Sequence, residues 1–236
     1  MSGQRGLVLF DIDGTILVGG DRHHGAAFTR AFEAVYNKPV TLDGVPLAGM
    51  LDSQIARILF ERHGLNAGEA EQRLAEMMAA MGQHYVEATA GASLRDRLLP
   101  GVTEAVLAAH EQGWTVGALT GNGQAVGEAK LRAVGLDTLI TFGAWGDSAI
   151  ERGHLVDAAL DEAVRATGLR FVSHETVLVG DTPADIAAAR LGGAHVIAVA
   201  TGRFDVDALA SHNPDALMEN LADTSAFVAA VSRILG

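Results

Sequence analysis

The sequence predicts an α/β fold, in which a doubly wound, Rossmann-like parallel sheet carries an inserted all-helical domain. Three observations predict it. Residues 7–10 form a short apolar run, residues 17–97 show almost only helical periodicity, and the remainder alternates short apolar runs with helical patterns. Such alternation favours right-handed crossovers and a parallel sheet covered by helices on both faces. We therefore expect a core formed by residues 1–16 and 98–236, with residues 17–97 as the insert.

Composition limits the classes of protein and partner. The chain has 236 residues, of which 49% are hydrophobic, enough for one large core and a smaller second unit. A net charge of −12 argues against a nucleic-acid partner, because a basic face supplies most of that affinity. The absence of cysteine excludes disulfides, thiolate catalysis and zinc–sulfur sites. Without a secretory signal pattern or a run of about 20 apolar residues, we expect a cytoplasmic protein with no membrane partner. Monomer and dimer remain equal alternatives.

The first predicted strand ends in two acidic residues. Leu7–Phe10 is a run of apolar, β-forming residues, as expected for a strand buried on both faces. Asp11 and Asp13 follow at positions i and i+2, so both side chains can point towards one site. Gly14 allows the chain to turn away sharply. Since burying two unpaired carboxylates would be costly, a metal site with a catalytic role explains them economically.

The insert is predicted to be helical. After a hairpin or loose loop at residues 16–21, apolar residues recur at helical spacing over 24–37, 52–64 and 67–90. Pro39 marks a break after the first of these patterns. Strand signals are almost missing from this part of the sequence.

Beyond residue 100 the core is predicted to continue as alternating helices and strands. The predicted helices are 102–112, 124–134, 156–167, 183–191 and 225–235. The predicted strands are 114–119, 139–142, 176–179 and 196–199. In such a sheet, ligands bind beyond the carboxyl ends of the strands, where the strand order switches.

The strand at 176–179 also leads into acidic residues. Asp181 could coordinate a divalent cation together with Asp11, and Asp185 could reach the same cation or orient its waters. With Asp13, these residues are the candidate metal ligands. Carboxylate oxygens and retained waters suit Mg²⁺.

A third polar segment follows the strand at 114–119. Thr120, Gly121 and Asn122 offer a hydroxyl and backbone amides between a strand and a helix. Such an arrangement forms a natural phosphate cradle. We therefore predict that these three residues bind phosphate.

Three segments together resemble the motifs of the haloacid dehalogenase-like superfamily. They are D-x-D-G-T at 11–15, T-G-N at 120–122 and G-D-x-x-x-D at 180–185. The resemblance is to the phosphoglycolate-phosphatase-like branch, whose α/β core carries a helical cap. It implies a Mg²⁺-dependent phosphomonoesterase that acts on a small phosphorylated metabolite.

The resemblance also implies roles for individual residues. Asp11 would attack phosphorus and form an aspartyl-phosphate. Asp13 would protonate the leaving oxygen and then accept a proton from the hydrolytic water. Thr120 would hydrogen-bond the phosphoryl group, and the insert would serve as the cap.

One position departs from the pattern of the family. Relatives usually carry Lys-Pro before the last motif, whereas this chain has Ile-Glu-Arg-Gly-His at residues 150–154. The chain contains only two lysines, Lys38 and Lys130. Lys130, on the helix that follows Thr120, and Arg152 are equal candidates for the catalytic cation that contacts the phosphate.

Other functions are weighed against the phosphatase. A phosphosugar mutase of the same superfamily keeps the same motifs and stays open. A non-catalytic, receiver-like phosphate or metal-binding protein would lack the helical insert. The segment 49–52 resembles the substrate loop of the cap, where many relatives have an arginine and this chain has apolar residues. We therefore expect sugar phosphates or similar small monoesters to be preferred over phosphoglycolate.

Overall fold

The structure, a computed structural model, describes residues 5–236, so residues 1–4 of the predicted core lie outside the described residues. Its centre is a six-stranded parallel sheet with the strand order β3-β2-β1-β4-β5-β6. The strands are β1 (Leu7–Phe10), β2 (Thr115–Leu119), β3 (Gly143–Ala144), β4 (Thr176–Gly180), β5 (His195–Val199) and β6 (Ala216–Met218).

Ten α-helices and three short 3₁₀ helices surround the sheet in the described part of the chain. The insert contains α1 (Arg22–Tyr36), α2 (Asp52–Arg62), α3 (Ala67–Gln72) and α4 (Leu74–Ala88). The remaining helices are α5 (Val102–Glu111), α6 (Gln124–Val134), α7 (Leu155–Thr167), α8 (Pro183–Leu191), α9 (Val206–Ala210) and α10 (Thr224–Leu235). The 3₁₀ helices are Arg95–Arg97, Arg152–His154 and Ser173–Glu175.

Strand β1 lies at the centre of the sheet because it pairs with β2 on one side and β4 on the other. Its side chains alternate between the two faces. Val8 and Phe10 belong to one buried apolar cluster, with residues of α5 and α10, whereas Leu7 and Leu9 belong to another, with residues of α7 and α8. The order of strands switches between β1 and β4, which places the ligand-binding crevice at the ends of these strands.

The helices of the insert share an apolar cluster of their own. Phe28 and Phe32 of α1 and Tyr85 of α4 are almost fully buried in it. Val126 of α6 also joins the cluster. The insert therefore packs against the helix that leaves β2.

Most predicted elements are observed with small changes in their boundaries. The strands β2, β4 and β5 and the helices α5, α6, α7, α8 and α10 lie within one residue of their predicted limits. The predicted helix at 67–90 is divided by Arg73, whose φ of −103° and ψ of 3° separate α3 from α4. No helix within residues 5–236 is long and apolar enough to cross a membrane.

The prediction of a strand at 139–142 is wrong. Ile140 donates its backbone N–H to the carbonyl of Leu136 in a turn. Hydrogen bonding to β2 begins only at the carbonyl of Phe142, which accepts from the N–H of Ala118 (3.0 Å), and the paired residues are Gly143–Ala144. Ile140 and Phe142 are buried all the same. An apolar run reports burial, and here the burial occurs in a connecting segment instead of a strand.

Strand β6, helix α9 and the three 3₁₀ helices of residues 5–236 were not predicted. Strand β6 has three half-buried residues at the edge of the sheet, and α9 has five residues. Such short elements contain too few residues for a periodic pattern.

Candidate active site

Three strand ends bring polar side chains to the same edge of the sheet. Asp11 follows β1, Thr120 follows β2 and Asp181 follows β4, and all three are nearly fully buried. The ladder continues into two of them, since the N–H of Asp11 donates to the carbonyl of Val179 (2.9 Å) and that of Thr120 to the carbonyl of Ala144 (3.0 Å). The sheet therefore sets the positions of these residues.

Within residues 5–236, one group of acidic side chains has the geometry to hold a metal ion. Asp11, Asp181 and Asp185 each offer a carboxylate oxygen, and these oxygens lie within 4.8 Å of one another. Burial and mutual repulsion raise the pKa of Asp11 to about 7 and that of Asp181 to about 8. The fold thus holds together carboxylates that would repel each other when ionised.

Arg152 lies inside this acidic group. Its Nη2 is 3.4 Å from Oδ1 of Asp11 and also forms a hydrogen bond with Asp185. Three ionised carboxylates against one guanidinium leave two negative charges uncompensated. A hard divalent cation such as Mg²⁺ fits that charge and the oxygen ligands.

Asp185 is also fixed by the first turn of α8. Its carboxylate accepts hydrogen bonds from the backbone N–H (3.0 Å) and the hydroxyl (2.7 Å) of Thr182, which caps that helix. This reciprocal capping box orients the carboxylate towards Arg152. The strand-end acid Asp181 is held by a longer contact, 3.3 Å, from the hydroxyl of Thr15.

The structure separates Asp13 from the other predicted metal ligands. Its carboxylate Oδ2 lies 2.5 Å from Nζ of Lys130 and 2.9 Å from Nδ2 of Asn122, and it is not part of the group of three carboxylates. Burial opposes ionisation of Asp13, but the charges of Lys130 and His24 outweigh it and lower its pKa. Asp13 is therefore held in its ionised form.

Lys130 is the centre of a polar chain that joins the core to the insert. The side chain is 1% exposed, and Nζ lies 2.7 Å from Oδ1 of Asn122 and 3.4 Å from Nδ1 of His24. Nε2 of His24 in turn lies 3.0 Å from Oδ2 of Asp52, which also accepts from the N–H of Gly123 (2.8 Å). This chain of polar contacts links α1 and α2 to the beginning of α6.

The predicted phosphate cradle is compact. The hydroxyl of Thr120 accepts a hydrogen bond of 2.7 Å from Nδ2 of Asn122. A Cβ atom at Gly121 would overlap the carbonyl of Met50 and lie 3.0 Å from Nη1 of Arg152. Glycine is thus needed where the insert, the cradle and the arginine meet.

Sequence reasoning missed Gly202 and the cavity-side contacts of His24 and Asp52. A Cβ at Gly202, in the loop after β5, would overlap the carboxylate of Asp181. From the sequence, Asp52 could be the N-cap of its own helix. In the structure it is instead the first residue of α2, and its carboxylate accepts a hydrogen bond from the N–H of Gly123 at the start of α6. The glycine after the apolar run of β5 was the one available signal.

A cavity of about 590 Å³ opens over these residues. Asp11, Asp13, Thr120 and Arg152 line its core side, and residues of the insert line the opposite side. Except for Lys130, the predicted catalytic and phosphate-binding residues therefore line one cavity. Lys130 contacts Asp13, which lines the cavity, but does not line the cavity itself.

Comparison with known proteins gives a family and a fold. The family model of haloacid dehalogenase-like hydrolases matches residues 8–190. A search of functionally curated proteins gave no significant match.

Several solved structures share the fold over nearly the whole chain. A predicted phosphoglycolate phosphatase from Haemophilus somnus 129Pt is 23% identical, with a TM-score of 0.65, covering 97% of this chain and 100% of its own. β-Phosphoglucomutase from Clostridium difficile is 14% identical, with a TM-score of 0.71, covering 97% of each chain. CbbY from Rhodobacter sphaeroides, in complex with phosphate, is 21% identical, with a TM-score of 0.66, covering 92% of this chain and 95% of its own.

At these identities the structural likeness shows the fold alone. The family match spans well over half of the chain and contains the strand-end acids of β1 and β4, the TGN segment and Arg152. The identification made from the three motifs and the prediction of a hydrolase are confirmed. The chain belongs to the haloacid dehalogenase-like hydrolase family.

Proposed function

We propose that this hydrolase is a phosphomonoesterase that acts on a small phosphorylated metabolite through an aspartyl-phosphate on Asp11. One observation carries the proposal: Asp11, Thr120, Arg152 and Asp181 line one cavity, and the fully buried Asp185 lies against Arg152, with its carboxylate grouped with those of Asp11 and Asp181. This arrangement combines a nucleophile, a cation and hydrogen-bond donors around one position. Phosphoryl transfer depends mainly on such positioning and charge neutralisation.

In the first step a carboxylate oxygen of Asp11 attacks phosphorus, and the bond from phosphorus to the leaving oxygen breaks. Asp13 gives its proton to that oxygen. In the second step a water molecule attacks the phosphorus and gives a proton to Asp13. The bond between phosphorus and the Asp11 oxygen breaks, so that phosphate is released and Asp11 is restored as a carboxylate. The ion pair between Asp13 and Lys130 supports the ionised, base form of Asp13. Acting as an acid therefore requires Asp13 to take up a proton when the substrate binds.

We assign the main phosphate contact to Arg152 and a supporting role to Lys130. Arg152 reaches Asp11, and its buried Nε has no hydrogen-bond partner within residues 5–236. The ammonium group of Lys130 instead forms hydrogen bonds with Asp13 and Asn122. A planar guanidinium suits a phosphate with several oxygens.

Asp11, Asp181 and Asp185 would hold Mg²⁺. When bound, the ion would supply the positive charge that allows a phosphate dianion to approach the carboxylate of Asp11. Asp13, whose carboxylate is engaged by Lys130, is left out of this proposed set of side-chain ligands.

Residues 17–97 would act as a cap over the core formed by 1–16 and 98–236. The cap would exclude bulk water during the reaction. The polar chain from Lys130 through His24 to Asp52 supports this division, because it joins the two parts beside the nucleophile. The partner is proposed to be a small metabolite only, with no nucleic acid or membrane.

Hydrolysis of phenyl phosphate tests the proposed function. We expect turnover that requires Mg²⁺, stops with a chelator and falls at least 1,000-fold in Asp11→Asn, roughly the loss seen when a nucleophile is removed. Asp161→Asn, a change of the same chemistry at an exposed position of α7, should keep full activity. Turnover that survives Asp11→Asn would show that Asp11 is not the nucleophile.

A further inference from the structure

The insert covers the cavity with an apolar surface. Phe28 and Ile55 are buried side chains of α1 and α2 that reach the cavity, and Leu42 and Leu47 come from the segment between these helices. Val18 completes this surface from the loop after β1. We refer to these five residues as the apolar roof.

Two residues of the apolar roof are unusually exposed. Val18 is 48% and Leu47 40% exposed, although both line the cavity. Large apolar side chains in a cavity wall are typical of a surface that a ligand covers. The roof therefore has apolar area left for a bound molecule.

The charged groups on the insert side are unsuited to an anion. Within residues 17–97, Asp21, His24 and Asp52 line the cavity, whereas no lysine or arginine does. Both ring nitrogens of His24 are already engaged, Nε2 by Asp52 and Nδ1 by Lys130. Asp21 accepts a hydrogen bond from the hydroxyl of Tyr85, and Asp52 contacts His24. A second negative group on a substrate would meet carboxylates and apolar carbons there, at a high cost of desolvation.

Two arginines line the cavity from the core side. Arg152 is engaged at the floor by Asp11 and Asp185. Arg203, in the loop after β5, is exposed. Apart from Arg152, it is the one lysine or arginine of residues 5–236 that lines the cavity, so a test has to include it.

We propose that the substrate is a monophosphate ester whose leaving group carries no second charge and presents an apolar face to the roof formed by Val18, Phe28, Leu42, Leu47 and Ile55. This inference rests on the proposed phosphomonoesterase activity and narrows its substrate class. The phosphate lies on the polar floor, and the leaving group lies against the insert. Bisphosphates and carboxylate-bearing phosphates are poor substrates.

A matched pair of esters tests the leaving group directly. Isobutyl phosphate and phosphoglycolate have leaving groups of nearly the same shape, and only the second carries a carboxylate. We expect kcat/KM to be at least tenfold higher for isobutyl phosphate. Along a series of straight alkyl phosphates, kcat/KM should rise by up to about fourfold for each methylene that the roof buries. An equal or reversed preference within the pair, or a flat series, would overturn the proposal.

Variants of the roof give a second measurement. Leu47→Arg places a cation on the roof and should shift the ratio of the two kcat/KM values towards phosphoglycolate by at least tenfold. Leu107→Arg makes the same change on α5 at a residue 43% exposed and outside the cavity, and it should leave the ratio unchanged. A phosphoglycolate preference that disappears in Arg203→Ala would instead assign a second anion site to Arg203 and contradict the proposal.

Failure of the proposed function would have a different signature. It would appear as loss of Mg²⁺-dependent phenyl phosphate turnover, or as turnover that persists in Asp11→Asn. Calorimetric binding of isobutyl phosphate and phosphoglycolate to Asp11→Asn ranks the leaving groups without any chemical step. Tighter binding of phosphoglycolate there would overturn the substrate class by itself.

Discussion

At the scale of single residues, the two buried cations of the site contact different aspartates. Arg152 lies against Asp11 and Asp185, and Lys130 lies against Asp13. Each of these two cations is paired with a carboxylate, which is the condition under which a buried charge is tolerated. The separation also divides the chemistry, since one cation faces the proposed nucleophile and the other sets the charge of the proposed acid and base.

Lys130→Met is expected to affect the proton-transfer step. Lys130 lowers the pKa of Asp13 against the effect of burial, so its removal should raise that pKa. Because Asp13 acts as an acid in the step that kcat/KM reports, the alkaline limb of the profile of kcat/KM against pH should then move to higher pH. Measuring the profile from pH 5 to 9 checks this.

Lys130→Arg is the control for charge, and Lys38→Met, at an exposed residue of the insert, is the control for loss of a lysine. The first should restore part of the original profile, and the second should leave it unchanged. A Lys130→Met enzyme whose alkaline limb stays where it is in the wild type would contradict the assignment of Lys130 to Asp13.

At the scale of elements, the beginnings of three helices meet beside the site. Asp52, the first residue of α2, contacts His24 of α1 and the N–H of Gly123, which caps α6. A carboxylate at the positive end of a helix is favourable. The same side chain thus stabilises α6 and holds the insert against the core.

Asp52→Ala is expected to destabilise the protein by about 1–2 kcal/mol, the usual effect of removing a capping side chain. Urea denaturation followed by circular dichroism measures the change. Asp223→Ala removes the N-cap of α10, whose carboxylate accepts from the N–H of Ala226 (2.9 Å), and serves as a cap of similar chemistry away from the site.

The two variants should differ in activity. Both should lose stability, but only Asp52→Ala should also raise KM for phenyl phosphate, because it loosens the insert over the cavity. Equal stability of Asp52→Ala and the wild type would show that the contact with Gly123 contributes nothing.

At the scale of the whole molecule, the buried acidic group couples stability to pH. The folded-state pKa values of Asp11 and Asp181, about 7 and about 8, lie above the ordinary value of 3.8. Between about pH 4 and pH 8 the folded state therefore binds more protons than the unfolded state, and stability falls as pH rises through this window. The chain's net charge of −12 adds repulsion in the same direction.

Mg²⁺ is expected to stabilise the protein more at pH 8.5 than at pH 6, because fewer protons have to leave the carboxylates at the higher pH. For a chain of this length, about 1 kcal/mol shifts Tm by about 2–4 °C, so calorimetry at saturating Mg²⁺ should detect the difference. Asp181→Asn should reduce both the response to Mg²⁺ and the dependence of the metal-free Tm on pH. Equal stabilisation by Mg²⁺ at both pH values would contradict a site formed by Asp11 and Asp181.

Local sequence determined the sheet and its strand-end chemistry. The apolar run Leu7–Phe10 followed by Asp11, and the similar run before Asp181, predicted which residues would lie at one edge. This succeeded because burial on both faces and the turn after a strand each leave a local pattern. The same reasoning failed at 139–142, where an apolar run is buried largely in a turn and hydrogen-bonds to β2 only through its last residue, Phe142.

The tertiary structure alone decided which charges pair. Lys130 and Asp13 are 117 residues apart in the chain, and His24 and Asp52 meet only because α1 and α2 begin beside the core. No local pattern reports such contacts, since they depend on the crossover from β2 into α6 and on where the insert docks. Because such contacts leave no local pattern, the sequence could not decide whether Lys130 or Arg152 lies nearer the proposed nucleophile. The distance of 3.4 Å between Nη2 of Arg152 and Oδ1 of Asp11 favours Arg152.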